Sequence, residues 1–166
     1  MTPEACGVAR VVSGGQSGVD RGALVAARRA GVPVGGWCPD GGVAEDLPDP
    51  PGVLVLFPEL RPTPSAEPAE RTRWNVRDSD ATLVLVRTGV FSPGTDLTVA
   101  CAVELGRPHL VADVEDVTEV RAWLAGLPAG STLNVAGPRE SEAPGIGAEV
   151  ERLLTALIDP GLADRS

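Results

Sequence analysis

Short apolar runs alternate with longer segments of helical periodicity along most of the chain. Five runs of aliphatic residues, mostly bounded by glycine or proline, predict strands at Val8–Val12, Val34–Trp37, Ala81–Val86, His109–Ala112 and Thr132–Ala136. Helices are predicted over residues 18–30, Ala69–Val76, Thr95 or Asp96 to Leu105, residues 116–126, and a last segment with Ile146, Val150, Leu153, Leu154 and Leu157 on one face.

This alternation is typical of an α/β protein. Parallel strands joined by helices take right-handed crossovers, so we expect a doubly wound, mostly parallel sheet of five to seven strands with helices on both sides. The length fits a single domain over residues 1–166. Residues 39–68 are rich in proline and predict an irregular excursion, in which only Val53–Phe57 has an extended pattern.

The composition of the chain argues against several classes of function. The net charge of −9 argues against nucleic-acid and anionic-membrane binding, and no apolar stretch has the length of a membrane span. All fourteen basic residues are arginine, which excludes a Schiff-base lysine and the P-loop lysine, and the single histidine, His109, excludes a multi-histidine metal site. Three unpaired cysteines and a start without an export signal, MTPEACGVARVV, predict a cytoplasmic protein.

The stretch SGGQSGVDRGAL links the first strand to the first helix and predicts an anion-binding loop. Gly14, Gly15 and Gly18 allow a close approach of the main chain to a ligand, and the helix adds a positive N-terminal field. Gln16, Ser17 and Arg21 supply side-chain donors at the same place. The stretch matches neither a Walker A loop nor a complete dinucleotide fingerprint, so a tight turn without a ligand is the alternative.

Two further loops leave strand ends in the same way. Because ligands bind beyond the carboxyl ends of parallel strands, we expect the three loops to converge on one crevice. The second loop is Ser92-Pro93-Gly94-Thr95, which also has the composition of a simple N-cap, and the third carries Asn134, Gly137 and Arg139. Arg139 is either an anion clamp or a solvated partner of a nearby glutamate.

The stretch RTRWNVRDSDA clusters arginines and aspartates. Arg71, Arg73 and Arg77 form either surface ion pairs with Asp78 and Asp80 or a place where an acidic protein tolerates an anionic ligand. We take Arg77 as the candidate ligand contact. The two aspartates have the spacing of turn caps and also the chemistry of acid–base groups.

Several long motifs, in order along nearly the whole chain, resemble those of the putative molybdenum carrier family. These bacterial proteins have a Rossmann-like fold and are related to molybdenum cofactor carrier proteins and to the LOG-like (SLOG) superfamily. The motifs that carry the resemblance are SGGQSGVDRGAL, GGWCPDGGVAED, TPSAEPAERTRWNVRDSDATLVL, PGTDLT and LNVAGPRESEAPGI.

The resemblance implies a non-catalytic carrier of molybdenum cofactor (molybdopterin) or of another phosphate-bearing, nucleotide-like molecule. It implies a homo-oligomer, a dimer or tetramer, whose delivery partners are molybdenum enzymes or cofactor-biosynthesis proteins. It assigns no catalytic or metal-ligating residue. It places in the ligand site three groups of residues, namely Gly14, Gly15, Gln16, Ser17, Gly18 and Arg21, then Gly94, Thr95 and Thr98, and then Asn134, Gly137, Pro138 and Arg139.

Two departures from related sequences bear on function. The LOG phosphoribohydrolases have a catalytic glutamate at the position that Thr98 takes here, which counts against hydrolysis. The CPDGG stretch lacks the basic residue of its relatives, which weakens a ligand contact from that loop. A nucleotide-processing enzyme using Asp20, Asp78 or Asp96 remains the alternative, and a protein-interaction module whose glycine loops are only turns is a third hypothesis.

Overall fold

Five parallel strands form the central sheet of the computed structural model, which describes residues 6–158. The sheet order is β2-β1-β7-β5-β6. Its strands are β1 (Val8–Val12), β2 (Val34–Gly35), β5 (Ala81–Val86), β6 (His109–Asp113) and β7 (Ser131–Ala136), and a second parallel pair joins β3 (Trp37–Cys38) to β4 (Arg61–Pro62). The expectations for residues 1–5 and 159–166 lie outside the described range.

Helices cover both faces of the sheet. They are α1 (Val19–Arg29), α2 (Pro68–Arg77), α3 (Pro93–Glu104), α4 (Val117–Ala125) and α5 (Ile146–Ile158). The main core joins the sheet to α1, α4 and α5 through side chains such as Leu85, Leu133 and Leu154, all fully buried. A smaller cluster joins α2 to α3. This arrangement confirms the predicted doubly wound, Rossmann-like α/β fold.

The predicted strands and helices agree with the structure where the residues of one element share a single pattern of buried and exposed positions. The predicted strand Val34–Trp37 is instead divided, because Gly36 adopts a φ of 120° and turns the chain from the main sheet into the β3–β4 pair. Glycine is required there, since a Cβ atom would overlap the main chain of Ser13.

The prediction of an extended Val53–Phe57 is wrong. Residues Gly52–Val55 form a 3₁₀ helix, and the N–H groups of Leu56 and Phe57 both donate to the Val53 carbonyl. Val53 and Phe57 are buried against Leu24 of α1, whereas Val55 is 69% exposed. The run therefore follows helical i, i+4 burial, which its five apolar letters do not distinguish from a buried strand.

The excursion between β3 and α2 is ordered by contacts with the rest of the domain. It carries the two 3₁₀ helices, Asp40–Gly42 and Gly52–Val55, and packs Val53, Phe57 and Leu60 beneath α1. Within residues 6–158, no helix combines the length and apolarity needed to cross a bilayer.

Candidate ligand-binding site

A cavity of about 280 Å³ lies at the carboxyl ends of three neighbouring strands, β1, β7 and β5. This is the edge of a parallel sheet where ligands bind in open α/β folds. Its volume is close to the lower end of small-molecule sites. The loops after the three strands and one face each of α2 and α3 supply the wall, which consists of Gly14, Gln16, Asp20, Pro68, Arg71, Thr72, Asn75, Ser92, Pro93, Gly94, Leu97, Thr98, Asn134, Ala136, Gly137, Arg139 and Glu142.

The three predicted loops do converge at this cavity. Half of the predicted site residues lie on its wall, with members from each loop. They are Gly14, Gln16, Gly94, Thr98, Asn134, Gly137 and Arg139. The other seven, which are Gly15, Ser17, Gly18, Arg21, Arg77, Thr95 and Pro138, lie behind the wall or on other surfaces.

Nearby side chains satisfy three of the amides in the loop after β1. The Gly15 N–H donates to Ser13 Oγ, the Gln16 N–H to the Asp20 carboxylate at 3.3 Å, and the Ser17 N–H to Gln16 Oε1. Gly15 and Gly18 have φ values of 77° and 80°, so both glycines are needed for the turn itself. These three amides are therefore not open to a ligand, in contrast to the amide cradle that the glycines predict.

Asp20 and Arg71 form a buried ion pair on the cavity wall, with Arg71 Nη1 2.8 Å from Asp20 Oδ2. Asp20 is in the first turn of α1 and only 5% of its side chain is exposed. Burial raises the pKa of Asp20, while Arg71 and the Gln16 N–H oppose that rise. The guanidinium of Arg71 lies over the main chain of Gly14, where any Cβ atom would overlap it.

The remaining edge of the Arg71 guanidinium is unpaired. Nε is buried and has no hydrogen-bond partner within residues 6–158, and in the same part of the chain no acceptor reaches Nη2. Nε and Nη2 form the side of the guanidinium that binds carboxylate or phosphate with two parallel hydrogen bonds. A buried N–H donor without a partner is unusual in a folded protein. It indicates a missing acceptor at the cavity.

Sequence reasoning singled out Arg77 in this cluster rather than Arg71. Arg77 is exposed, pairs with Asp78 at 2.8 Å and stacks over Trp74, on a different side of α2 from the cavity. The sequence does contain a pattern that indicates Arg71. Positions 68, 71, 72 and 75 share one helical face, and this is the face of α2 that lines the cavity.

The start of α3 presents a free main-chain donor to the cavity. The N–H groups of Thr95 and Asp96 donate to the Ser92 carbonyl, and Pro93 has no N–H. Among the described residues, no acceptor reaches the Gly94 N–H, which leaves one donor at the positive end of the helix. Thr98 Oγ donates to the Gly94 carbonyl, and Thr95 is buried with its hydroxyl on Ser92 Oγ at 2.9 Å.

The loop after β7 brings one arginine and one glutamate to the wall. The Glu142 carboxylate accepts from the Arg139 N–H at 2.9 Å and from Arg139 Nε at 3.3 Å. Asn134 is buried beneath this loop and donates from Nδ2 to Thr82 Oγ at 3.3 Å. Arg139 is therefore paired with a glutamate, as one of its two interpretations predicts. It also lies on the cavity wall, and its role as an anion clamp stays a prediction.

Ser17, Gly18 and Arg21 face a separate, more open cleft between α1 and the loop after β7. Arg21 donates to both oxygens of Asp46, at 2.9 and 3.0 Å, which explains an arginine at a helix N-terminus by an acidic partner. Glu45 accepts from the hydroxyls of Ser17 and Ser141. These bonds to Glu45 and Asp46 therefore hold the proline-rich excursion against α1 and the loop after β7.

Comparisons with known proteins agree with the motifs. A family model described as the circularly permutated YpsA SLOG family matches residues 11–158. The crystal structure of a putative molybdenum carrier protein from Syntrophus aciditrophicus SB, at 1.45 Å resolution, is similar to the whole domain, with a TM-score of 0.81 and 32% identity over 93% of this chain and 98% of that chain. No curated protein matches. These matches confirm the family indicated by the motifs.

Proposed function

The chain belongs to the circularly permutated YpsA SLOG family, and from this premise we propose that it is a non-catalytic carrier of a phosphate-bearing pterin or nucleotide-like molecule. Molybdenum cofactor is the first ligand to test, because the similar crystal structure is described as a putative molybdenum carrier protein. The ligand would occupy the cavity at the ends of β1, β7 and β5.

The observation that carries this proposal is the unpaired edge of Arg71. Its Nε is buried and has no acceptor within residues 6–158, while Asp20 holds Nη1 and no acceptor in the same range reaches Nη2. A phosphate group has oxygens at the right spacing to accept from both nitrogens of that edge. It would also satisfy a buried side-chain donor that has no partner within residues 6–158.

Two further groups favour an anion in the same cavity. The free Gly94 N–H is at the positive end of α3, and Arg139 is on the wall with about half of its side chain exposed. The phosphate of molybdenum cofactor fits these donors, so Arg71 and the Gly94 N–H would hold it. The metal and its sulfur ligands would be cargo rather than part of a reaction.

The binding test is calorimetric titration of ligand-free protein with inorganic phosphate, AMP, GMP and molybdopterin. We expect Arg71→Gln to weaken the ligand that binds by tenfold or more, because hydrogen bonds to charged groups contribute about 1.5–3 kcal/mol. Arg73→Gln is the matched control, since Arg73 is on the same helix, exposed, and paired with Glu104 outside the cavity. Equal affinity of wild type and Arg71→Gln would contradict the proposal.

One observation favours a second candidate function, a nucleotide-processing enzyme. Of the three aspartates proposed as acid–base groups, only Asp20 lies at the cavity, and burial raises its pKa. Thr98, at the position where the LOG hydrolases have their glutamate, is on the same wall and counts against a hydrolase of that kind. Release of a free base from nucleoside monophosphates by wild type but not by Asp20→Asn would favour this alternative.

We also propose that the protein is a cytoplasmic homo-oligomer that delivers its ligand to molybdenum enzymes or cofactor-biosynthesis proteins. Support for self-association comes from apolar side chains exposed on α3 and on the edge strand β6, with Val103 65% exposed and Val111 43% exposed. Light scattering coupled to size-exclusion chromatography of wild type and Val103→Asp tests this. A monomeric wild type would contradict it.

A further inference from the structure

Glu142 is the second acidic group on the cavity wall, and the protein uses only one of its oxygens. Oε1 accepts from the N–H and Nε of Arg139, and Ser92 Oγ is 3.4 Å from the same oxygen. No donor in the described part of the chain reaches Oε2. The side chain as a whole is 16% exposed, and Oε2 is the acceptor that it leaves for another partner.

The charges on the wall are balanced pair by pair. Arg71 is neutralised by Asp20 and Arg139 by Glu142, so the cavity holds two positive and two negative groups. A ligand made only of anionic oxygens would bind well at Arg71 but would be repelled by the Glu142 carboxylate. A ligand that carries an anion and, separately, an N–H donor would complement both places.

We propose that Glu142 Oε2 accepts a hydrogen bond from an exocyclic amino group on the ligand's heterocycle. The ligand class is then an amino-substituted purine or pterin phosphate. This inference rests on the proposed function, because the phosphate is assigned to Arg71. A bound analogue without the amino group would cover this oxygen without giving it a partner, and a site built for a hydrogen bond rejects such analogues strongly.

The test compares ligands that differ only in the amino group. The pairs are GMP with IMP, AMP with purine riboside 5′-monophosphate, and 6-hydroxymethylpterin phosphate with its 2-deamino analogue. We expect the amino member of at least one pair to bind tenfold or more tightly. In Glu142→Gln, whose neutral oxygen is a weaker acceptor, that ratio should fall to about threefold or less. Glu149→Gln, which alters an ion pair with Arg87 outside the cavity, should leave the ratio unchanged.

The failures of the two proposals are distinguishable. Equal affinity within every pair, with binding still weakened by Arg71→Gln, overturns the role of Glu142 and leaves the phosphate site standing. If Glu142→Gln weakens both members of a pair equally, Glu142 only shapes the loop, and this inference is wrong. If no phosphate-bearing compound binds wild-type protein, the proposed function fails, and the inference fails with it.

Discussion

The guanidinium of Arg71 occupies the space beside the Gly14 main chain that any other residue at position 14 would need for its Cβ atom. The two residues come from different elements, the loop after β1 and helix α2. Gly14 has an ordinary backbone conformation, since its φ is not positive. The glycine at this position is therefore explained by the arginine rather than by the turn.

We expect Gly14→Ala to displace Arg71 and to lose ligand affinity with it. The added methyl group overlaps Nη1, so the guanidinium must leave Asp20 or the loop must move. The resulting strain and the broken ion pair should lower the free energy of unfolding by about 1–3 kcal/mol. Urea denaturation and calorimetric titration measure the two effects. Gly94→Ala, where a Cβ atom meets open space, should be neutral or stabilising.

Asp20 predicts a specific dependence of stability on pH. Burial raises its pKa in the folded state, so the folded protein holds this proton more tightly than the unfolded chain does. The associated stability is present below the ordinary aspartate pKa and is lost as pH rises through the raised value. Asp20→Asn should therefore gain stability relative to wild type as the pH rises above the ordinary aspartate pKa of about 4. A difference that is independent of pH, in urea denaturation, would contradict this.

Glu45 is predicted to hold the loops after β1 and β7 together. Its carboxylate accepts from the Ser17 hydroxyl, and from the N–H of Ser141 at 3.0 Å, and Ser141 Oγ donates as well. These bonds lower the pKa of Glu45, so its stabilising contribution is lost as pH falls below the ordinary glutamate value.

Replacement of Glu45 by alanine should speed hydrogen exchange at the Ser141 amide by about tenfold, because one charge-assisted hydrogen bond contributes about 1.5 kcal/mol. Exchange measured by NMR reports this amide directly. Asp49→Ala is the control, since Asp49 is an exposed acid in the same excursion. Unchanged protection of Ser141 in the Glu45 variant would show that the loops hold each other without the carboxylate.

Asn75 is predicted to be essential for the small β3–β4 pair. Its Oδ1 accepts from the Trp37 N–H at 2.8 Å and its Nδ2 donates to the Trp37 carbonyl at 2.9 Å. Asn75→Ala leaves both backbone groups without partners and should destabilise the protein by about 2 kcal/mol. Thermal unfolding compares this variant with Arg73→Ala on the same helix. A loss no larger than that of the control would mean that water replaces the amide.

The strands β1, β5 and β7 and the helices α1 and α5 could be predicted because each has one dominant burial pattern in its own residues, and α3 because residues that start and end helices flank it. The run Val53–Phe57 could not, since five apolar residues fit a buried strand and a buried helical turn equally well. Contact of Val53 and Phe57 with Leu24, 29 and 33 positions away in the chain, favours the turn. The division of the predicted second strand could not be predicted either, because it depends on the φ of 120° that Gly36 adopts in the folded chain.

The sequence by itself determined the α/β architecture, the family and the meeting of three loops at one sheet edge, because parallel strands separated by helices have few other ways to bury their apolar faces. Only the tertiary structure decided which charged groups reach that edge. Arg71 rather than Arg77 meets the cavity because α2 packs with one face towards β3 and α3, and the partner of Arg71, Asp20, is 51 positions away in the chain. Only the tertiary structure likewise shows that the N–H groups of Gly15, Gln16 and Ser17 already have side-chain acceptors.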